Sequence, residues 1–549
     1  MQNKFLNSNL TKNLFTISIF LILFFIGCQI YTDFGFYIDE KFHRANGFYW
    51  LNFLSIFFGN DNLFELSKLK YDQIQGFTLP SIEEWNLYSV IFDVPAAYLE
   101  LFLNLETHRE YYEMRHFLVF ITFFISSIFF YKLLINRFNN YLVSIFGLLL
   151  FILTPRIFGD SFWNNKDIIF LSFYIFSIYN YFKFLDNKSL GNLFWLSFFS
   201  AISSSIRLAG IFLPITFIFF YLIDKISKRN DMKGNLVIIY ITLFFLILFI
   251  SSPFLWNDFL HGLLSSLSLD MSWRGKVHFL GNYYPSDHLP YYYLIFWIII
   301  STPVTHLLLF VFGFANYLKR LSLRYFEIRK SVIYNDLWRS NNEKKDFLIT
   351  INLVFFFCLL SFMNINLYNS WRLAYFLYIF IIYFSTYFIY LIFLKFKENL
   401  ELIISIFLVS FIFLIYRNIL YHPYQSLYFN FLVPKSIKNI VDVDYTGLSG
   451  YHFLREVSGV KHKKYPIIVA VNSWYPLWRM TELLDKDKKN KVLVVSGDDK
   501  EDADFIYSNR IYDVDKRYHK KYDIPKEFKK QKYYKIDNTI IYEIYEKVK

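Results

Sequence analysis

Cysteine is nearly absent from this chain of 549 residues, and the two present, Cys28 and Cys358, both sit inside apolar runs. That excludes a disulfide framework and a thiolate metal site, and it sets redox chemistry aside. Charge is scarce too. Only 19% of the residues are charged while 55% are hydrophobic, and the apolar residues come in runs rather than in an amphipathic scatter, which is the composition of a membrane protein. There is no internal repeat and no sustained low-complexity linker, so one cue expected of many secondary transporters is missing. A small-residue cleavage pattern is missing as well after the first apolar run, Leu14 to Tyr31. That run can cross about 30 Å of hydrocarbon and reads as a retained first span.

What is plentiful needs equal care. The 69 Phe and 45 Tyr residues, together with abundant Ile, Asn and Lys, are what an AT-biased coding sequence produces without functional demand. Aromatic richness by itself is therefore no evidence of a stacking surface. The formal net charge is +12, but Lys and Arg lie mostly between apolar runs and in the tail, where they orient a chain against anionic membrane lipids. Nucleic acid is not an expected partner.

Further spans are predicted near 117–134, 141–155, 168–182, 235–255, 291–318, 347–363, 373–394 and 402–416. The run 193–223 is too long for one upright helix and is interrupted by Arg207, so it is one tilted span or a hairpin of two. Charge asymmetry favours the hairpin, which keeps Lys183, Lys188, Lys225, Lys228, Arg229, Lys233 and the basic 319–345 loop on the cytoplasmic side. About eleven spans result. The expected architecture is a multi-pass α-helical membrane domain over 1–416, with a first outer loop at 32–116, and a small extracytoplasmic α/β domain over 417–549. Strands are predicted at Ile467–Val471, Val492–Val495, Phe505–Tyr507 and Thr539–Ile544. Segment 87–104, which holds Asp93, Pro95 and Glu100, reads as an interfacial helix rather than a span.

In this topology the outer loops hold nearly all the distinctive polar residues. Tyr37-Ile38-Asp39-Glu40 follows the first span, with His43 and Arg44 just beyond. A carboxylate there can deprotonate an acceptor hydroxyl while a lipid phosphate leaves from the opposite face of a sugar. The plainer alternative is that the two acids cap a helix or solvate a loop. A leaving phosphate demands cations, and Arg115 with His116, Arg156, Lys166, Arg207, Arg274 and Arg372 are the outer-face candidates. Anchoring to lipid headgroups is their plainer role, except for Arg207, whose charge interrupts an apolar run.

The loop Thr154-Pro155-Arg156-Ile157-Phe158-Gly159-Asp160-Ser161-Phe162-Trp163-Asn164-Asn165-Lys166-Asp167 packs acids, bases and aromatics between two spans. Asp160 or Asp167 can complete a divalent-cation site (Mg²⁺ or Mn²⁺) with Asp39, since hard cations favour carboxylate oxygens. No His/Cys spacing accompanies them, and an internal Arg156–Asp160 or Lys166–Asp167 pairing accounts for them equally. Trp273, Tyr283 and His422 are candidate substrate contacts, with an interfacial aromatic belt as the alternative for the two aromatics.

Taken in order, these segments resemble the GT-C superfamily of lipid-carrier-dependent glycosyltransferases, family 39, the dolichyl-phosphate-mannose protein mannosyltransferase-like group. The resemblance rests on Asp39-Glu40, Arg115-His116, TPRIFGDSFWNNKD at 154–167, SIRLAG at 205–210, WRGKVHFLGNYYPSDHLPYYY at 273–293, NSWRLAYF at 369–376, HPYQSLYFN at 422–430 and DYTG at 444–447. It implies a multi-pass enzyme of the cell membrane, a bacterial inner membrane, that moves a mannose-like hexose or a pentose from a polyprenyl-phosphate carrier to a protein, lipid or glycan acceptor on the outer face. It implies Asp39 as base with Glu40 beside it, and Arg207 and Arg372 on the carrier phosphate. Two positions depart from the pattern: Asn369-Ser370-Trp371-Arg372-Leu373 stands where relatives have an acidic-Gly-Trp-Arg-His run, and Asp93-Val94-Pro95 stands where they have His-Gly-Pro. A transporter or flippase, a ligase of lipid-linked glycans and a non-catalytic scaffold are the competing readings. The first predicts midplane charges and the last leaves Asp39-Glu40 unexplained.

Overall fold

The computed structural model describes residues 9–74, 89–227, 232–267, 275–327, 338, 340–363, 365–461 and 465–548. Of the sequence-predicted features, Trp273, Arg274, Lys228 and Arg229 lie outside the described residues.

Each predicted span coincides with a helix or a pair of them: α1 (Asn9–Ile30), then after the loop helices α2 (Glu40–Phe57), α3 (Asp61–Asp72) and α4 (Asp93–Phe102), α5 (His108–Phe138), α6 (Tyr141–Ile152), the short α7 (Pro155–Asp160) and α8 (Asp167–Asp186). The run 193–223 is a hairpin, α9 (Leu190–Ile206) and α10 (Phe212–Ile226), with Arg207 at the break. The chain continues through α11 (Gly234–Ile250), α12 (Phe259–Leu267), α13 (Tyr293–Ser301), α14 (Val304–Glu327), α15 (Asn341–Phe362), α16 (Tyr378–Lys395) and α17 (Leu400–Tyr421). By length and composition, 7 described helices can cross a membrane, and α6, α9 and α11 are shorter apolar helices. The protein is thus a multi-pass helical membrane protein.

Burial sorts these helices. The apolar windows of α8 and α16 are 83% and 72% buried, whereas those of α1 and α17 are only 11% buried. The first pair forms the centre of the bundle, and the second presents Leu14, Phe25, Leu402 and Ile412 outward, as lipid-facing helices do.

Ionic contacts gather at one end of the bundle. Arg137 pairs with Asp346 at 2.5 Å, Lys344 with Asp224 at 2.7 Å and Lys345 with Asp186 at 2.7 Å. These residues close α5, α8 and α10 and open α15, so they mark the end where the basic loops emerge. Buried charges survive only when paired, and each pair here ties one helix end to another. The opposite end carries the first loop, α7, the Arg207 break and the tail.

The tail holds a five-stranded sheet. Its strands are β3 (Ile467–Val471), β4 (Val492–Val495), β5 (Phe505–Ser508), β6 (Phe528–Ile536) and β7 (Thr539–Lys547), in the order β4-β3-β5-β7-β6. The β4-β3-β5 ladders are parallel and β5-β7-β6 antiparallel, with α18 (Ser449–Ser458) packed against the sheet. A separate hairpin, β1 (Lys276–Phe279) and β2 (Asn282–Pro285), precedes α13. Arg417 at the end of α17 pairs with Asp537 of the tail at 2.5 Å, which joins sheet and bundle.

Candidate active site

Asp39 sits at the N-cap position of α2, yet its side chain makes no capping bond. Glu40 accepts from the Tyr37 amide at 2.8 Å and from His116 at 2.8 Å, so it takes up the local structural duty and leaves the Asp39 carboxylate clear of it. Glu40 is buried, and that burial raises its carboxyl pKa against the pull of His116. Asp39 is 41% exposed but ringed by protein. Loss of bulk water, opposed by the charge of His43, pushes its carboxyl up to about 6. The Tyr37 hydroxyl donates to the same carboxylate.

Three cations gather around Asp39 and the neighbouring Asp167 from other elements. Arg372 reaches Asp39 at 3.1 Å with one nitrogen and Asp167 at 3.6 Å with another. Its delivery depends on a sharp turn: Asn369 (φ 54) and Ser370 (φ 62) both hold left-handed backbone, a conformation that costs non-glycine residues of order 1 kcal/mol or more each and clusters at functional sites. Arg207, placed by the break between α9 and α10, pairs with Asp167. Lys166 precedes Asp167 at the start of α8, where burial and the neighbouring Arg207 lower its ammonium to about 7. A cavity of about 10 Å³, room for one water, lies between Lys166, Asn165, His43 and Asp93.

The pair His43–Asp93 was not among the predicted site residues. His43 Nδ1 is 3.0 Å from Asp93 Oδ2, and Asn46 donates to the same oxygen at 2.8 Å. Gly47 makes the approach feasible, because a Cβ there would stand 2.3 Å from the Asp93 carbonyl oxygen. Next to His43 in sequence, Arg44 binds Glu100 at 2.6 Å and lies over Tyr111.

The other predicted residues are placed elsewhere. Arg115 lies buried 3.7 Å from Glu100, and His116 serves Glu40. Arg156 donates to the Tyr428 carbonyl and to Ser370, both at 3.0 Å, and packs over Trp297 and Phe429. It thereby supports the turn that carries Arg372 instead of facing the Asp39 crevice. Tyr283 stacks on His278 within the β1-β2 hairpin, and His422 binds Asp33 at 2.9 Å.

The carboxylates expected as a divalent-cation set do not fit one. Among the described residues no group of three or more His, Cys, Asp or Glu is disposed to hold a metal. Arg372 stands between Asp39 and Asp167, and Asn164 bridges Asp160 and Asp167 with bonds of 3.2 and 3.1 Å. Asp160 is fully buried, and desolvation pushes its carboxyl up to about 8.

No curated protein matches the chain. The crystal structure of ArnT from Cupriavidus metallidurans bound to undecaprenyl phosphate is similar over 98% of both chains, with 8% identical residues and a TM-score of 0.42. The segment from α4 to the end of α11 holds Asp160, Lys166, Asp167 and Arg207. Residues 94–256, which include these four, match the family described as dolichyl-phosphate-mannose-protein mannosyltransferase.

Proposed function

We propose that the protein moves a sugar, with inversion, from a polyprenyl-phosphate carrier to an acceptor hydroxyl, and that it does so on the extracytoplasmic side of the membrane. The observation that carries this reading is the arrangement of one accessible carboxylate, Asp39, beside Arg372 and Lys166, with Arg207 on the adjoining Asp167. The two arginines bind the carboxylates of Asp39 and Asp167, and the same guanidinium geometry suits the oxygens of a phosphate. The dolichyl-phosphate-mannose of the matched family supports a donor of that chemical class. The collection of basic loops at the far end of the bundle supports the side.

In the reaction Asp39 takes the acceptor proton. The freed oxygen attacks the anomeric carbon from the face opposite the phosphate, the bond from that carbon to the phosphate oxygen breaks, and its electron pair leaves with the polyprenyl phosphate. Lys166, Arg207 and Arg372 hold the charge that grows there, in a crevice where such contacts are worth more than in water. Sugar identity and acceptor are set by contacts beyond these residues. The mannose-like hexose or pentose implied by family resemblance is the first class to offer.

The pH dependence follows from the two shifted groups. Asp39 must be a carboxylate, so kcat/KM is expected to fall as pH drops through about 6, while Lys166 must be an ammonium, so it is expected to fall again as pH rises through about 7. A bound phosphate favours the ammonium, so the alkaline limb should move upward in kcat, which reports the occupied enzyme. Rates from pH 5 to 9 in both regimes check this, and a flat kcat/KM across pH 6 would be inconsistent with Asp39 as base.

The donor class is tested by presenting the purified protein with a polyprenyl-phosphate monosaccharide, a polyprenyl-diphosphate oligosaccharide and a nucleotide sugar. Transfer from the first alone is expected. Transfer from the diphosphate oligosaccharide alone would make the protein a ligase of lipid-linked glycans, and translocation of label without bond breakage would make it a flippase.

A further inference from the structure

Residues 475–485 of the tail run across the loop that carries Asp39. Tyr475 donates from its hydroxyl to the Phe36 carbonyl at 3.1 Å, and Arg479 donates to the Ile38 carbonyl at 2.8 Å. Glu482 lies 3.3 Å from Lys41 and 3.5 Å from His108, and Asp485 accepts from Arg109 at 3.0 Å. Two of these grips fall on backbone carbonyls either side of Tyr37, whose own hydroxyl binds Asp39. A third falls on Lys41 in the first turn of α2.

The docking is built into the backbone. Gly447 has a φ of +75, and a Cβ there would come within 2.1 Å of the Tyr475 ring, while a Cβ on Gly35 would meet the Leu448 carbonyl at 2.8 Å. Tyr475 is buried. Exposed ion pairs alone would contribute little, but a buried tyrosine and an arginine that satisfy two loop carbonyls leave the Asp39 backbone little freedom.

We propose that this strap makes the C-terminal domain part of the active site, with Tyr475 and Arg479 as positioning residues that hold the Tyr37-to-Asp39 backbone where the Asp39 carboxylate can reach an acceptor hydroxyl. The proposal rests on Asp39 being the base. The charged and titratable groups around that carboxylate are His43 of α2, Lys166 and Asp167 before and at the start of α8, Arg372 before α16, Tyr37 of its own loop and Arg479 from the strap. Arg479 is the contribution from the tail, and its positive charge favours the ionised Asp39. Without it the carboxylate is protonated more readily, so the acid limb of the rate profile moves to higher pH.

The test uses the full-length purified protein as Arg479→Ala, Arg479→Lys, Tyr475→Phe and Asp39→Asn. A control, Lys532→Ala, breaks an exposed pair with Glu456 on the same domain. Two readouts are taken: hydrogen exchange at the amides of residues 36–43, and the pH profile of sugar transfer. Arg479→Ala is expected to quicken that exchange, to lower kcat on the order of tenfold, the scale of one hydrogen bond from a charged group, and to displace the acid limb upward. Arg479→Lys should restore the limb but not the whole rate, and the control should match wild type. Wild-type exchange and an unmoved acid limb in Arg479→Ala would overturn the proposal. Should that variant fail to accumulate, Tyr475→Phe removes a single oxygen, and unchanged exchange there would overturn it equally. Full transfer by Asp39→Asn would instead remove the base assignment underneath, and it is read independently of the exchange data.

Discussion

Asp39→Asn is expected to lower sugar transfer at saturating donor by about 10²- to 10⁴-fold, the usual contribution of a positioned general base. Asparagine keeps the shape of the side chain and can still accept from the Tyr37 hydroxyl, so the loop need not rearrange. What is lost is the capacity to take a proton. The same change frees Arg372 from its contact at 3.1 Å with the carboxylate and removes a negative charge from the approach of an anionic donor. The KM for donor is therefore expected to stay level or fall while kcat collapses. A variant impaired by misfolding would lose both, so initial rates over a range of donor concentrations separate the two cases.

Arg372→Ala should show the complementary pattern. Arg372 spans Asp39 and Asp167 with two nitrogens of one fork, and a phosphate can take up the same geometry. Each charge-assisted bond lost is worth about 1.5–3 kcal/mol, so kcat/KM for donor is expected to drop about 10- to 150-fold, with a raised KM carrying part of it. Arg372→Lys keeps the charge but not the fork and should recover only part of the loss. Competition by free polyprenyl phosphate gives an independent check: its inhibition should weaken in parallel with the loss in kcat/KM. Inhibition as strong as in wild type would place the phosphate elsewhere.

The helices were legible because a span must be continuously apolar. Even the α9-α10 hairpin followed from where Lys183 and Lys225 have to lie. Four of the five tail strands were legible for the same kind of reason, short apolar runs between turns. The missed strand, β6, has the sequence FKKQKYYKI, in which an edge position and many lysines hide the alternation that marks a strand. The β1-β2 hairpin was hidden differently. Leu280, with a φ of 50, occupies a turn position that sequence signals reserve for Asn or Gly.

The candidate site was legible as a set of loops, and the structure brings Arg372 to Asp39 and Asp167 and Arg207 to Asp167, with Lys166 beside them. Loop membership, though, does not fix direction. Arg156 shares a loop with Lys166 yet turns toward Tyr428 and Ser370, and His422 turns toward Asp33. The acids Asp160 and Asp167 looked like metal ligands in sequence because neither Asn164 between them nor Arg372, more than two hundred residues on, can be seen to fill the space. The His43–Asp93 pair and the grip of Arg479 on Ile38 join positions separated by 50 and 441 residues, and no local pattern announces either.

The reaction itself is tested most directly by giving the purified full-length protein a polyprenyl-phosphate sugar of defined anomeric configuration and following product and lipid together, in wild type and Asp39→Asn side by side. Wild type should release one polyprenyl monophosphate for each sugar moved and yield a product of opposite configuration, and Asp39→Asn should yield almost none of either. A product that keeps the donor's configuration, or equal turnover by Asp39→Asn, would contradict a single displacement with Asp39 as its base.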